Sequence, residues 1–181
     1  GHSMGSTNAM RFAQDFPDKT RGLLLAATFH SYRDNAVIDE FWTTGVSPLT
    51  DPIDPAFVHE FQTGTLAQPV PPGFLETAVR ESLKVPASVW RQTFEGFLED
   101  AVMGGMDRIE APPLLLWRDQ DFLCTREHQA ALRSATVGAR LVVYEGAGHG
   151  LHWEEPQRFA AEIVAFVDGL GGADGAAAAG P

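Results

Sequence analysis

Three residues far apart in the chain are of the types that together cleave acyl bonds. Ser3 lies in Gly1-His2-Ser3-Met4-Gly5, Asp121 follows the apolar run Pro113 to Trp117, and His149 sits in Gly146-Ala147-Gly148-His149-Gly150. A serine hydroxyl is a poor nucleophile at neutral pH. It needs a base within hydrogen-bond reach and a third group that holds the base in the right tautomer. His149 and Asp121 fill those two roles, and the chain order Ser, Asp, His is one known for such a set. The spacing G-x-S-x-G is that of a sharp strand-to-helix turn that lifts the serine out of a sheet. Its serine takes strained backbone angles, so a side chain at Gly1 or Gly5 is expected to collide with the turn or the incoming strand.

These groups must be held by a sheet with helices around it. Ala9, Phe12, Ala13 and Phe16 recur at i, i+3, i+4 and i+7, which predicts a helix starting where the turn would feed one and stopping at Pro17. Gly22 to Thr28 and Pro113 to Trp117 are short continuous apolar runs, expected of strands covered on both faces, and Leu141 to Tyr144 makes a third strand. A carboxylate just past a strand end, as Asp121 is, lies on the edge where open α/β sheets bind ligands. His30, just past the first run, is a candidate pocket residue on the same ground. Thr125 is read as the cap of a helix through Arg133, and Pro156 as the start of a last helix with Phe159, Ile163, Phe166 and Leu170 facing the sheet.

Between 34 and 107 the character changes. Pro48, Pro52, Pro55, Pro69, Pro71, Pro72 and Pro86 cut the segment into short helical pieces with no buried-strand pattern. Asp54-Pro55 is a cap followed by proline at the first helical position. Helices are predicted from Pro72 to Lys84 and from Ser88 to Val102. The segment reads as a helical lid, whose apolar face offers Phe57, Phe61, Phe74, Trp90 and Phe94 as candidate substrate contacts, although an aromatic stripe at helical spacing is more often core. The domain reading is thus a core of 1–33 and 108–170, a lid of 34–107 and a disordered tail of 171–181 rich in Gly and Ala.

Composition narrows the partners. The 181 residues hold 13 Lys and Arg against 24 Asp and Glu, a formal charge of −11, so nucleic-acid phosphate and anionic membrane surfaces are repelled and a neutral small-molecule substrate is expected. The single Cys124 cannot form an internal disulfide, and no apolar run approaches the roughly 20 residues that span a bilayer. A cytoplasmic setting is the expectation.

The segments GHSMG, PPLLLWRDQD and GAGHGLHWEEP together resemble the α/β-hydrolase superfamily, in particular its bacterial serine hydrolases with a helical lid, over the chain to about Leu170. The resemblance implies an α/β architecture that is a partial α/β-hydrolase fold, with C-terminal parallel strands, flanking helices and a lid insertion. Residue by residue it implies Ser3 as nucleophile, Asp121 as acid with Asp119 as runner-up, His149 as general base and the Met4 backbone N–H as an oxyanion donor, with neither metal nor cofactor. Arg118 stands where the family usually has Gly, and Ser6 where it usually has a second Gly. The family's second oxyanion donor and several strands precede the turn, so the chain is expected to be the C-terminal portion of the fold. Its partner would then be the missing N-terminal part, the inner edge of Gly22 to Thr28 would lie unpaired, and the chain alone would be a poor catalyst. The activity implied is hydrolysis of an ester or lactone of a small apolar molecule, with C–C bond hydrolysis or cofactor-free perhydrolysis as alternatives on the same triad. A non-catalytic ligand-binding module of the same fold is the other alternative, and it would predict a broken triad.

Overall fold

The computed structural model describes residues 1–181 except 30, 31, 33, 34, 100–104, 107, 122 and 178–181, and only the backbone of 171–177. Three parallel strands, β1 Leu23–Ala26, β2 Pro113–Arg118 and β3 Arg140–Tyr144, form a sheet in the order β1-β2-β3. Leu24 registers with Leu114, and Leu114 in turn with Arg140. Every residue of β2 is buried, as a central parallel strand with both faces covered requires.

Two apolar clusters sandwich this sheet. On one face Met10 and Ala13 of α1 (Met4–Asp15) and Leu132 of α6 (Arg126–Ala135) pack on Leu23, Leu25 and Leu115. On the other, Leu114, Leu116 and Tyr144 meet Leu151 of α7 (Leu151–Glu154), with Phe159 and Phe166 of α8 (Pro156–Ala177) beside them. The buried stripe of α1 differs from the predicted one. Met10 and Ala13 turn inward, whereas Phe12 and Phe16 are about half exposed and rest on each other with ring centroids 5.0 Å apart. Ile163 of α8 is likewise 37% exposed, so only part of the predicted face reaches the sheet.

The first strand is shorter than the apolar run 22–28, because the chain breaks from the sheet at Ala27, whose φ of 48° no strand adopts. The edge of β1 facing residues 1–3 is also not left bare. The Ala26 amide donates to the Gly1 carbonyl at 2.9 Å and the Ser3 amide to the Ala26 carbonyl at 2.9 Å. Two residues of extended chain ahead of the turn already supply a parallel bridge, His2 to Ala26.

Between β1 and β2 the described residues hold helices and no strand: α2 (Ala36–Glu40), a π-helical turn Phe41–Val46, α3 (Pro55–Gly64), α4 (Pro72–Ser82) and α5 (Ala87–Glu99). Asp54 caps α3 by accepting the Ala56 amide at 2.8 Å, with Pro55 at the first position. Asn35 caps α2 in the same way, at Val37 and Ile38. The predicted C-terminal end of α5 at Val102 falls outside the described residues. Beyond Leu170, where disorder is the expectation, the backbone of α8 runs on to Ala177. Extending an existing helix skips the costly nucleation step, which offsets part of the penalty carried by Gly171, Gly172 and Gly175.

Candidate active site

Ser3 occupies the junction of the two-residue extended segment and α1 at φ 50° and ψ −122°, a region that non-glycine residues avoid. The turn closes so tightly that a Cβ at Gly1 would lie 2.0 Å from the Gly5 carbonyl oxygen. Among the described residues nothing lies within 4 Å of a Cβ at Gly5, so the collision expected there does not occur with them, whereas Gly1 is sterically required. Ser6, fully buried where the resemblance expects Gly, donates its hydroxyl to the Ser3 carbonyl. Crowding at that position is therefore converted into a bond that stiffens the turn.

The three chemistry-bearing residues converge. His149 Nε2 lies 2.9 Å from Ser3 Oγ, and His149 Nδ1 lies 3.0 Å from Asp121 Oδ2. The other Asp121 oxygen accepts the Leu123 and Cys124 amides at 3.0 and 3.1 Å, which leaves Oδ2 for the imidazole. Burial alone would raise the Asp121 carboxyl. The hydrogen bond and charge of His149, then Arg118 and the Cys124 amide, outweigh it and hold the carboxyl below the usual range. Asp119 does not face His149; its carboxylate accepts the Gly146 amide instead.

The histidine loop is shaped by its glycines. Gly146 takes φ 74°, and a Cβ at Gly148 would fall 2.3 Å from the Ala67 nitrogen. That close approach joins the loop between α3 and α4 to the His149 loop. Glu154 accepts both the Ala67 and Gly148 amides, Gln68 donates to the Gly146 carbonyl, and the Gly150 amide donates to the Thr65 carbonyl. His2 adds a further brace, with Nε2 2.8 Å from the His149 carbonyl. Burial lowers His2 to about 3 and His152 to about 4, so both are neutral at pH 7.

Ser3 and His149 open onto a cavity of about 790 Å³. Four of the five predicted aromatics, Phe57, Phe61, Trp90 and Phe94, line it. Phe74 does not; it lies edge-on to Trp153, centroids 5.2 Å apart, and Trp153 is the one that reaches the cavity. His30 is outside the described residues. Phe29, Tyr32, Phe41 and Phe97 also line the cavity without having been singled out as pocket residues. Among the described residues on its wall, Glu60 is the one carboxylate and there is no lysine or arginine. Met4 stands at the first position of α1, where an N–H has no intrahelical acceptor, and it too borders the cavity. Asp121, Cys124 and His149 could in principle ligate a metal, but their atoms already bond one another or the backbone, and burial pushes the Cys124 thiol up, away from the thiolate a metal needs.

No helix among the described residues is long and apolar enough to cross a membrane. A sequence profile of the Alpha/beta hydrolase family matches residues 1–162. No curated protein matches significantly. Among solved structures, an esterase from Exiguobacterium antarcticum is similar at 19% identity and a TM-score of 0.77, with 93% of this chain and 65% of that one covered. A bromoperoxidase from Bacillus anthracis is similar at 19% identity and a TM-score of 0.79, covering 93% and 66%. The enol-lactonase from Burkholderia xenovorans LB400 is similar at 17% identity and a TM-score of 0.71, covering 93% and 64%. The chain thus spans just under two thirds of the length of each.

Proposed function

The chain belongs to the alpha/beta hydrolase family, and from that premise we propose that it is a serine hydrolase for an ester or lactone of a small apolar molecule. The observation that carries the reading is the unbroken relay from Ser3 Oγ through His149 to Asp121, opening on an aromatic cavity. With Nδ1–H donated to Asp121, His149 Nε2 is free to accept the Ser3 proton as Oγ attacks the substrate carbonyl. Charge moves to the carbonyl oxygen, where the Met4 N–H is a donor. Collapse of the tetrahedral intermediate expels the alkoxide, which takes the proton from His149, and leaves an acyl group on Ser3. Water attacks that ester by the same route in reverse, His149 taking its proton and returning it to Ser3.

Substrate choice belongs to the helical segment 34–107 acting as a lid, because Phe41, Phe57, Phe61, Trp90 and Phe94 all come from it. Among the described residues the wall holds Glu60 and no lysine or arginine, which supports a neutral rather than an anionic substrate. The lone buried Cys124 supports a reducing, cytoplasmic setting. A fluorophosphonate reagent tests the proposal: the adduct is expected on Ser3, and an unlabelled Ser3 in folded protein would leave a binding module as the reading.

A further inference from the structure

The residue that closes β2 is an arginine with nowhere to go. Arg118 is fully buried, and alternation along the strand sends its side chain to the same face as Leu114 and Leu116, beneath the loop that carries His149. None of its three guanidinium nitrogens makes a hydrogen bond within the described residues. Its one ionic contact is Nη2 to Asp121 Oδ2 at 3.5 Å, the same oxygen that faces His149 Nδ1 at 3.0 Å. Other charges nearby are committed elsewhere: Glu154 spends both carboxylate oxygens on the Ala67 and Gly148 amides, and Glu155 pairs with Arg158.

We propose that Arg118 is a positioning residue for this site, whose buried positive charge shares the Asp121 carboxylate with His149 and thereby extends activity to lower pH. The inference rests on the hydrolase reading above. A carboxylate beside an imidazole favours the protonated ring, and a protonated ring cannot take the Ser3 proton. A second cation on the same carboxylate oxygen offsets part of that field at His149. The remaining groups around the pair do not supply this charge. His2, entering α1, and His152 on α7 are neutral at pH 7, the Cys124 thiol and the Tyr144 phenol on β3 are held protonated by burial, Asp119 is tied to Gly146, Glu154 to the Ala67 and Gly148 amides, and Arg158, over the Tyr144 ring, pairs with Glu155. Burial lowers Arg118 itself to about 10 against the pull of Asp121 and Glu154, which keeps it charged throughout the working range. A fully buried charge is costly to retain, and a guanidinium held without hydrogen bonds more so.

The test is the pH dependence of the second-order rate of Ser3 labelling by a fluorophosphonate, in the natural polypeptide carrying this sequence. Two neutral variants, R118G and R118M, differ in volume, so that one can fold where the other does not. Either is expected to raise the acid limb by about one pH unit, roughly the effect of one charge a few ångströms away under water-like screening. R118K keeps the charge and is expected to hold the acid limb where it is. An unmoved limb in the neutral variants, whatever happens to the plateau rate, would show Arg118 to be structural filler. An equal rise in R118K would show that shape rather than charge matters. Loss of labelling at Ser3 in unsubstituted protein would instead overturn the hydrolase reading, so the two failures are separable.

Discussion

The Asp119 carboxylate accepts the Gly146 amide at 2.7 Å, so the loop after β2 is tied to the loop after β3 three residues before His149. Two carboxylates two residues apart therefore do different work. Asp121 faces the imidazole, and Asp119 fastens the loop that carries it. Asp121→Asn is expected to lower kcat by ~10³ to 10⁴, because an amide at that place favours the wrong histidine tautomer. Asp119→Asn, which keeps an acceptor, is expected to cost about tenfold or less. Comparable losses in the two variants, measured as ester hydrolysis under saturating substrate, would contradict this division.

Glycines around the site divide just as sharply. Gly5→Ala meets open space within a helix and is expected to stabilise the protein by about 0.5 to 1 kcal/mol. Gly148→Ala drives a Cβ toward backbone at Ala67, and no rotamer change can relieve that. It is expected to lower the melting temperature and to loosen the contact between the α3–α4 loop and the His149 loop. Thermal melts of both variants decide the point; a Gly148→Ala protein as stable as Gly5→Ala would refute it.

Much of this arrangement was legible because each part rests on local chemistry. Asp54-Pro55 marked the start of α3 by capping, and two continuous apolar runs marked β1 and β2 by their lack of alternation. Ser3, Asp121 and His149 were named by residue type, order and position past strand ends. What was not legible depends on distance in the fold. Tyr32 lines the cavity through a stack on Phe97, 65 residues later in number, at a centroid distance of 5.0 Å. Phe74 and Trp153 compete for one place, and only packing decides that the tryptophan takes it. On α1, Phe12 and Phe16 fit the helical period as well as Met10 does, and periodicity alone could not say which stripe meets the sheet. Arg118 was noted only as standing where the related family has Gly; its burial and its pairing with Asp121 are set by the loop that follows.

Aromatic residues of the helical segment should govern selectivity rather than chemistry. Phe61→Ala is expected to change kcat/KM for a bulky aryl ester by about tenfold or more relative to an acetate ester, a pocket effect of about 1 to 3 kcal/mol. Phe74→Ala, which removes a side chain outside the cavity wall, should leave that ratio within about twofold. Paired assays on the two esters check both; a selectivity change in Phe74→Ala equal to that in Phe61→Ala would mean the cavity is drawn wrongly.

Two half-buried histidines make stability fall with acid. Their ordinary value is 6.5 in the unfolded chain, against about 3 for His2 and about 4 for His152 in the fold. Below about pH 6.5 the unfolded chain therefore binds more protons than the folded one. Their contribution is fully present above that pH and is lost as pH falls toward 4 and then 3. Urea unfolding at pH 7.5 and pH 5 should show the drop, and His152→Asn should reduce it. An undiminished drop in that variant would assign the acid sensitivity elsewhere.

The central claim is that Ser3 carries an acyl group in turnover. Acid-quench mass spectrometry with a p-nitrophenyl ester, on the natural polypeptide that contains this sequence, tests it most directly. The account predicts an acyl mass on the peptide that holds Ser3, absent in Ser3→Ala and greatly reduced in His149→Ala. Ester hydrolysis that persists in Ser3→Ala, or an acyl mass mapped to another residue, would contradict it.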